Sequence, residues 1–299
     1  MRVFVTGATG HIGSALVPEL VVAGHDVTAM ARSDSSATMA ERLGATVRRG
    51  DLEDLDGLRN AARDGVIHLA FREDAMRSGD LAGAIASDLA AIQALGEALE
   101  GTGKAFVGAS VMLPFAGKGR AATEEDSTAS GPRVDAENYE VARAERGVGS
   151  SVVRLSPITH SPDLDRHGFA TVLIATARRT GVSAYIGDGA NRWSAAHTRD
   201  TSHLFRLALE KATAGARLHA VGEEGLTTKA IASVIGEHLK LPVVSIPSEN
   251  AEAHFGFLGQ LFQLDAPASS AITQRLVGWR PTQPGLLDDL RDDRYYDAE

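Results

Sequence analysis

Short strand-like runs alternate with longer amphipathic stretches along the first two thirds of the chain. Seven runs of four or five residues have the length and composition of buried strands. They are Val3–Thr6, Val27–Ala31, Ala45–Arg48, Val66–Ala70, Ala105–Ala109, Val152–Leu155 and Leu218–Val221. The stretches between them are long enough for helices, so the pattern predicts βαβ units and a parallel sheet covered on both faces.

The first of these runs leads straight into a glycine turn, Gly7-x-x-Gly10-x-x-Gly13. The first glycine lets the chain turn sharply, the second removes a Cβ where a phosphate approaches, and the third lets the next helix pack closely. The amides and the positive end of the helix dipole then attract a pyrophosphate. The predicted cofactor contacts of this turn are Gly7, Thr9, Gly10, His11, Ile12 and Gly13. A tight turn without a ligand is the alternative interpretation.

The end of the second run indicates which dinucleotide is bound. An acidic residue at this place hydrogen-bonds the ribose 2′-hydroxyl of NAD. Here the run ends at Ala31 and continues Arg32-Ser33. A guanidinium and a hydroxyl favour a 2′-phosphate through charge-assisted hydrogen bonds. The sequence therefore predicts NADP(H) as the cofactor, with Arg32 and Ser33 as contacts, whereas an ordinary solvated arginine is the alternative for Arg32.

Two further strand ends are predicted to border the cofactor. Asp51 and Leu52 follow the third run, where Asp51 either accepts a hydrogen bond from the adenine amino group or caps the next helix. The end of the fourth run is expected to lie beside a cofactor ribose, at Leu69, Ala70 and Phe71.

The strand-like runs after Leu155 are shorter and indicate a second lobe. They are Ser183–Ile186, Pro242–Ile246 and Gly278–Thr282. The sequence predicts an NADP-binding domain over residues 1–160, completed by about 195–223, and a substrate-binding lobe formed by 161–194 and 224–299. Such a lobe would lie over the carboxyl ends of the strands, where ligands bind in this class of fold.

Composition narrows the possible partners. The net charge of −9 without a basic cluster argues against nucleic acid, and no apolar run is long enough to span a membrane. The first strand begins at the start of the chain, leaving no room for a signal peptide, so a cytoplasmic location is expected. Cysteine is absent and no ligand spacing typical of metals occurs. We therefore expect no metal, a small-molecule substrate, and a monomer or homodimer.

Several motifs in their order along the chain resemble the short-chain dehydrogenase/reductase superfamily, in its extended, epimerase/dehydratase-like branch. They are Thr6–Gly13, Gly50–Leu52, His68–Ala70, Ser110, Val153–Pro157, Gly187–Gly189 with Asp200, Gly278–Pro281 and Leu286–Leu290. The resemblance implies a doubly wound Rossmann sheet of about seven parallel strands, NAD(P) binding, and hydride chemistry on a carbonyl or alcohol.

The family's usual Tyr-x-x-x-Lys pair has no match at its expected place. Tyr139-x-x-x-Arg143 has a similar spacing, but Tyr139 lies only 15 residues before Arg154 in the sixth run. The family's tyrosine lies about ten residues further upstream, which would move the phenol roughly 15 Å. Counting back from Arg154 puts the tyrosine position near Ala129 and the lysine position near Arg133. Arg133 is therefore expected to contact a ribose or substrate oxygen, and Tyr139 to be a packing residue.

Other residues are then needed to orient and protonate a carbonyl. Ser110 ends the fifth run, where the family places a hydroxyl on the reacting carbonyl, although a shift of one residue would put Val111 there. A free histidine side chain titrates near neutrality, which makes His197 a candidate proton donor. Pro157 and Ile158 follow the sixth run and are expected to contact the nicotinamide.

The remaining candidates belong to the predicted lobe. His160 begins the loop into it, and Asn191, Arg192 and Trp193 form a segment that faces the substrate in the extended branch. Arg192 would bind an acidic or phenolate oxygen and Trp193 would stack on a flat ring. Packing and turn formation are the alternatives for all four residues.

These expectations favour an NADPH-dependent ketoreductase without a catalytic tyrosine, acting on a large apolar or aromatic ketone. Atypical family members of this kind reduce polyketide ketones in antibiotic biosynthesis, where a phenol beside the carbonyl can stabilise the oxyanion. A non-catalytic NADP-binding regulator is the second hypothesis. A nucleotide-sugar epimerase or dehydratase is the third, weakened because those reactions also rely on the tyrosine.

Overall fold

A computed structural model describes residues 1–62, 64–72 and 78–297 of the chain. The strands are β1 Arg2–Thr6, β2 Asp26–Ala31, β3 Thr46–Arg49, β4 Gly65–His68, β5 Ala105–Val111, β6 Gly149–Leu155, β7 Ile158–His160, β8 Ser183–Ile186, β9 Arg192–His197, β10 Ala216–Ala220, β11 Glu223–Thr227 and β12 Val243–Ile246. The helices are α1 Gly13–Val22, α2 Asp34–Arg42, α3 Leu55–Ala61, α4 Leu81–Ala98, α5 Val134–Ala142, α6 Phe169–Thr180, α7 Thr198–Lys211, α8 Thr228–Leu239, α9 Ala251–Phe255, α10 Leu258–Phe262, α11 Ala271–Val277 and α12 Leu286–Asp289.

Seven strands form one parallel sheet in the order β3-β2-β1-β4-β5-β6-β10. The order reverses between β1 and β4, which is the place where ligands bind in doubly wound sheets. The predicted α/β Rossmann fold with seven parallel strands is confirmed. Every strand-like run predicted for this sheet is part of it, with ends that differ by at most three residues.

Helices cover both faces of this sheet, because strand side chains alternate between the two faces. On β5, Val107 packs in a core cluster with residues of α1 and α7. Phe106, one residue earlier, packs in the opposite cluster with residues of α3 and α4. No helix among the described residues is long and apolar enough to cross a membrane.

A second group of strands and helices forms a smaller lobe. Strands β7, β9 and β11 form one small sheet, and β8 and β12 form another. Their core contains Trp193 and Phe262, whose rings meet edge to face with centroids 5.2 Å apart. The C-terminal segment closes this core, since Tyr295 and Tyr296 belong to the same cluster.

The segment 278–282, which we expected to be a strand of the lobe, is not one. Trp279 is fully buried in the cluster of β1 and α7, and its indole Nε1 donates to the Asp200 carbonyl oxygen at 2.9 Å. The Asp200 carboxylate accepts from the Thr282 and Gln283 amides at 3.0 Å. These contacts satisfy the backbone without a strand partner, and they tie the segment to the first turn of α7.

Candidate cofactor and active site

The glycine turn has the geometry of a phosphate-binding loop. Gly7 has a φ of +69°, and a Cβ there would lie 2.7 Å from the Ala70 amide nitrogen at the end of β4. A Cβ on Gly13 would lie 2.1 Å from the Gly7 carbonyl oxygen. At Gly10 the same carbonyl is the nearest atom, at 3.3 Å, and the residue is exposed. The turn therefore leaves one open approach to its backbone, at Gly10.

The start of α1 faces the same approach. No side chain caps the helix at Ile12, and the Ser14 and Ala15 amides already donate to the Gly10 and Ile12 carbonyl oxygens. The positive end of the helix dipole is therefore what this start offers to a ligand. The His11 side chain turns to α7, where its Nε2 lies 2.7 Å from the Thr198 hydroxyl. Burial and the nearby His160 and His197 lower the pKa of His11 to about 4, so its ring is neutral at pH 7. Thr9 and Ile12 are half-buried within this turn.

The residues after β2 are exposed at the carboxyl ends of β2 and β3. Arg32 and Ser33 both face solvent, and the Ser33 hydroxyl accepts from the Ser36 amide at 3.2 Å to cap α2. Arg49, which the sequence interpretation missed, pairs with Ala31 across the two strands and forms an ion pair with Asp34. Two guanidinium groups therefore occupy the region where a 2′-phosphate is expected.

The side chains of two aspartates shape the loop after β3. Asp51 accepts from the Glu53 amide at 2.8 Å, and Asp54 accepts from the Gly57 amide at 2.9 Å. Asp54 is therefore the helix cap, and Asp51 forms the turn before it, which corrects one of the two roles considered for Asp51. Leu52 is buried in the core beside α3. Met30, Gly50 and Asp51 line a recess of about 170 Å³ at this edge.

The chain after β4 lies against the end of β1. The Leu69 amide donates to the Thr6 carbonyl oxygen at 3.2 Å, and the Ala70 amide donates to the Thr6 hydroxyl at 3.3 Å. Leu69, Ala70 and Phe71 are half-buried, so this segment forms a wall beside the glycine turn.

Ser110 does not present a free hydroxyl. It is buried on the α5 side of β5, where its hydroxyl hydrogen-bonds the Glu137 carboxylate. Since side chains alternate along a strand, the next residue, Val111, is on the other face, half-buried and apolar. The predicted carbonyl contact of Ser110 is therefore contradicted, and the alternative position offers no hydroxyl either.

Ser110 belongs to a buried ion network under α5. Arg154 is fully buried, and its Nη2 donates to Glu137 Oε1 at 2.6 Å. Arg217 donates to the same oxygen at 2.8 Å. Burial alone would raise the pKa of Glu137, but hydrogen bonds and charge from Arg154 hold it below its usual value. This network fixes α5 on β6 and β10.

Arg133 lies where the carboxyl ends of β4 and β5 meet. Its Nη2 donates to the Ala109 carbonyl oxygen at 2.8 Å, and its guanidinium lies 4.3 Å from the centroid of the Phe71 ring. Its φ of +64° is a left-handed conformation that a non-glycine residue adopts only at a cost. The guanidinium is half-buried at the edge where cofactors of this fold bind.

Tyr139 lies elsewhere on α5. Its ring stacks under the Arg143 guanidinium at 4.2 Å and contacts the position of Gly96 on α4. It packs in the core cluster between the sheet and α4. The structure therefore gives this phenol a packing environment.

Of the two cofactor contacts predicted after β6, only Pro157 is partly exposed. Pro157 is half-buried, but Ile158 is fully buried in the lobe core, so its side chain is not a cofactor contact. His160 is also buried, and its Nδ1 lies 2.7 Å from Asp289 Oδ2 near the C-terminus. The predicted substrate contact of His160 is therefore contradicted, because this pair joins β7 to α12 inside the protein.

His197 caps α7. Its Nδ1 accepts from the Arg199 amide at 3.1 Å, and its Nε2 lies 3.7 Å from Asp289 Oδ2. Only 4% of the residue is exposed. Burial, opposed by Asp289 and reinforced by His160, lowers the pKa of His197. A buried, capping, neutral imidazole is not a proton donor to substrate in this arrangement, which corrects the predicted catalytic role.

The segment at the start of β9 is structural as well. Asn191 donates to the Phe262 carbonyl oxygen at 2.8 Å, and Arg192 pairs with Asp265 at 2.8 Å. Trp193 is fully buried, and its Nε1 donates to the Leu264 carbonyl oxygen at 3.1 Å. These residues hold the segment after α10 against β9, and the fully buried Trp193 has no surface left for a substrate.

Asp88 is a buried carboxylate beside Arg133 that the sequence interpretation did not single out. It lies on α4, 2% exposed, with Oδ2 3.6 Å from Arg133 Nη1. Its position continues the buried stripe Ala84, Ala91, Ile92 and Leu95. A lone carboxylate within the apolar stripe of a helix was the available signal.

A Rossmann sheet with an open glycine turn at its topological switch point defines a dinucleotide-binding enzyme. The chain belongs to the NAD dependent epimerase/dehydratase family, which matches over residues 3–221. It is 43% identical to an uncharacterised protein of Schizosaccharomyces pombe, over 99% of this chain and 100% of that protein. It is 40% identical to an uncharacterised protein of Saccharomyces cerevisiae, over 97% and 98%. The UDP-glucose 4-epimerase of Thermotoga maritima, solved with UDP-glucose, is similar with a TM-score of 0.77 at 20% identity, covering 99% and 98%.

Proposed function

We propose that this protein is an NADP(H)-dependent carbonyl reductase acting on a large apolar or aromatic, polyketide-like ketone. The observation that carries the proposal is the Arg133 guanidinium, which lies at the carboxyl edge of β4 and β5 while Tyr139 packs against α4. The Arg133 guanidinium is therefore available to a carbonyl oxygen, whereas the Tyr139 phenol is not.

The chain's own residues fit a dinucleotide. The open approach at Gly10 and the uncapped start of α1 would bind the pyrophosphate. Arg32, Ser33 and Arg49 would bind a 2′-phosphate, which supports NADP(H) over NAD(H). Bound there, the cofactor would supply a hydride to the carbonyl carbon.

Arg133 would stabilise the negative charge that develops on the carbonyl oxygen or hold the nicotinamide ribose. A guanidinium stays protonated, so the proton that completes the alcohol would come from water or from a phenol beside the carbonyl. Alignment of the ketone with the hydride donor would supply much of the rate enhancement.

The exposed aromatic surface of the lobe supports an apolar substrate. Phe257 is 60% exposed, and its ring lies 6.3 Å from that of Phe169. Leu113 and Ala116, which follow β5, pack against the same core cluster as Phe169. These side chains would form an apolar wall beside the strand ends.

The net negative charge of the lobe also supports an uncharged substrate. Residues 161–194 and 224–299 carry ten lysines and arginines against fourteen aspartates and glutamates. Arg192 is already paired with Asp265, and Arg199 with Asp163. A nucleotide sugar brings two negative phosphates, which this lobe would repel more than an uncharged ketone.

Calorimetric titration tests the cofactor. Arg32→Ala should weaken NADPH binding about tenfold, the effect of losing one charge-assisted contact, and leave NADH nearly unchanged. Arg42→Ala, which removes an exposed arginine at the other end of α2, is the matched control and should change neither. Equal losses for NADPH and NADH in Arg32→Ala would contradict the 2′-phosphate contact.

Substrate turnover separates the three functions. Consumption of NADPH with a series of aromatic ketones would support the reductase. The similarity to UDP-glucose 4-epimerase favours a second candidate, which conversion of UDP-glucose without net NADPH consumption would support. Tight NADPH binding with neither reaction would identify a regulator.

A further inference from the structure

Asp88 lies at the centre of a chain of polar contacts beneath the strand ends. His68 on β4 connects it to β1, with Nδ1 2.8 Å from the Thr6 hydroxyl and Nε2 3.3 Å from Asp88 Oδ1. The Thr6 hydroxyl accepts from the Ala70 amide, so its own hydrogen is free to donate to His68 Nδ1. His68 Nε2 then carries the ring hydrogen and donates it to Asp88.

This orientation leaves the second oxygen of Asp88 for Arg133. Oδ2 lies 3.6 Å from Arg133 Nη1 and has no hydrogen bond within the described part of the chain. Both groups are largely excluded from water, with side-chain exposures of 2% and 15%. The separation is too long for a direct hydrogen bond but short enough for a strong charge interaction.

Three other features fix the guanidinium at the same place. Ala109 accepts from Nη2, the Phe71 ring covers one face, and the backbone is held in a left-handed conformation. Backbone strain of this kind persists only where the surroundings enforce it, and it is concentrated at functional sites. The five donors of the guanidinium exceed the contacts with Ala109 and Asp88, so donors remain for a ligand.

We infer that Asp88 is a positioning residue, which holds the Arg133 guanidinium in place for the nicotinamide ribose and the reacting oxygen. This inference rests on the proposed function. Asp88 is buried below Arg133 and touches neither ligand itself, so its effect on binding passes through Arg133.

Glu140 provides the matched control. It is also buried near Arg133, with its carboxylate against the Gly108 backbone. Burial, together with the nearby carboxylates of Asp88 and Glu137, raises the pKa of Glu140 well above its usual value, which favours the protonated, uncharged form. Glu140→Gln therefore preserves charge and shape, whereas Asp88→Asn removes a charge.

Two ligands distinguish local positioning from general damage. NADPH contains both riboses, whereas adenosine 2′,5′-bisphosphate contains only the adenine half with its 2′-phosphate. In Asp88→Asn we expect NADPH binding to weaken at least about tenfold and bisphosphate binding to change less than about twofold. Glu140→Gln should bind both ligands like the wild type.

A double-variant comparison assigns the effect to Arg133. Arg133→Ala should lose as much NADPH affinity as Asp88→Asn. The combined variant should bind NADPH no more weakly than Arg133→Ala, because Asp88 affects binding only through Arg133. Asp88→Ser, which also removes the charge but leaves less bulk in the α4 stripe, repeats the measurement if Asp88→Asn folds poorly.

The outcomes separate this inference from the proposed function. Equal losses of both ligands in the two Asp88 variants, or additive losses in the combined variant, would overturn the positioning role and leave the reductase proposal standing. A wild-type protein that binds the bisphosphate no more weakly than NADPH would also overturn it. Failure of the wild type to bind NADPH at all would overturn the proposed function as well.

Discussion

Gly10 and Gly13 stand three residues apart in the glycine turn, and a methyl group has opposite consequences at the two positions. A Cβ on Gly13 would lie 2.1 Å from the Gly7 carbonyl oxygen and clash with backbone that cannot move aside. A Cβ on Gly10 meets no atom closer than 3.3 Å but occupies the approach of the pyrophosphate. Gly13 is thus needed for folding and Gly10 for binding.

We expect Gly10→Ala to keep the stability of the wild type within about 1 kcal/mol and to weaken NADPH binding at least about tenfold. Gly13→Ala should destabilise the protein by about 2–4 kcal/mol through overpacking. Thermal unfolding and calorimetric titration of both variants provide the measurement. Normal NADPH binding by a folded Gly10→Ala protein would contradict the phosphate-binding geometry.

Glu140 makes a second prediction for a single residue. Its pKa is raised, chiefly by burial, so the folded state favours the proton that the unfolded chain releases above pH 4.5. The stability this group contributes is complete below pH 4.5 and declines as the pH rises. Glu140→Gln should therefore stabilise the protein at pH 8, by about 1 kcal/mol, and have little effect at pH 4. Urea unfolding at both pH values would detect the difference, and an equal effect at both would contradict it.

The sequence predicted the backbone features of the site better than its side chains. The glycine turn follows from spacing, and counting back from Arg154 located Arg133 at the strand edge. Ser110 and Trp193 are both buried, and the sequence could not show this because a shift of one residue along a strand moves a side chain to the other face. Asn191 and Arg192 are held by the Phe262 carbonyl oxygen and by Asp265, through contacts across more than 70 positions that periodicity does not reveal.

At the scale of the element, the start of α7 shows how one helix joins both parts of the molecule. His197 caps it from β9, Thr198 contacts His11 in the glycine turn, and Asp200 holds the segment around Thr282. The helix itself covers the central sheet. The first turn of α7 therefore connects the lobe to the glycine turn.

Because the His197 ring caps the start of α7, an asparagine at this position should serve as the cap equally well. His197→Ala is expected to lose about 1 kcal/mol of stability, and His197→Asn to recover most of it, since asparagine is among the best capping residues. Ketone reduction by His197→Asn should stay within a few-fold of the wild type. A proton donor would instead contribute about 100-fold or more, so a loss of that size would restore the catalytic role.

The strands of the central sheet were predictable because each is a short apolar run between helices. The lobe was less predictable, because its strands are short and partly polar. The three-residue strand β7 was not predicted. The segment 278–282 has the pattern of a strand, although Trp279 fills the core beside α7. In both cases contacts between distant parts of the chain, rather than local pattern, decide the structure.

For the molecule as a whole, buried imidazoles link stability to pH. His219 on β10 donates from Nδ1 to the Ser269 carbonyl oxygen at 2.8 Å, while its Nε2 faces Arg154 Nη1 at 3.2 Å. The ring must accept at Nε2, so it is neutral in the folded protein. Burial and Arg154, opposed by Glu124, lower the pKa of His219 to about 4.

The sign of the effect follows from this pKa. An unfolded histidine titrates near 6.5, so the folded protein binds fewer protons between pH 6.5 and 4. The contribution of His219 is complete above pH 6.5 and is lost as the pH falls through 4. One pKa unit is worth about 1.4 kcal/mol, which makes this loss about 2 kcal/mol at pH 4.5. The pKa of Asp165, raised to about 6 by burial, acts in the opposite direction over part of the same range.

A variant comparison isolates His219, because Asp165 and the other groups are common to both proteins. His219→Asn should be about 1–2 kcal/mol less stable than the wild type at pH 7.5, since it loses part of a buried hydrogen-bonded network. Between pH 7.5 and 4.5 it should lose about 2 kcal/mol less than the wild type does. Urea unfolding at the two pH values measures both differences. An equal loss of stability in the two proteins would mean that the His219 ring is charged in the folded state. The carboxylates around Arg154 would then offset its charge enough for a second cation to lie beside it.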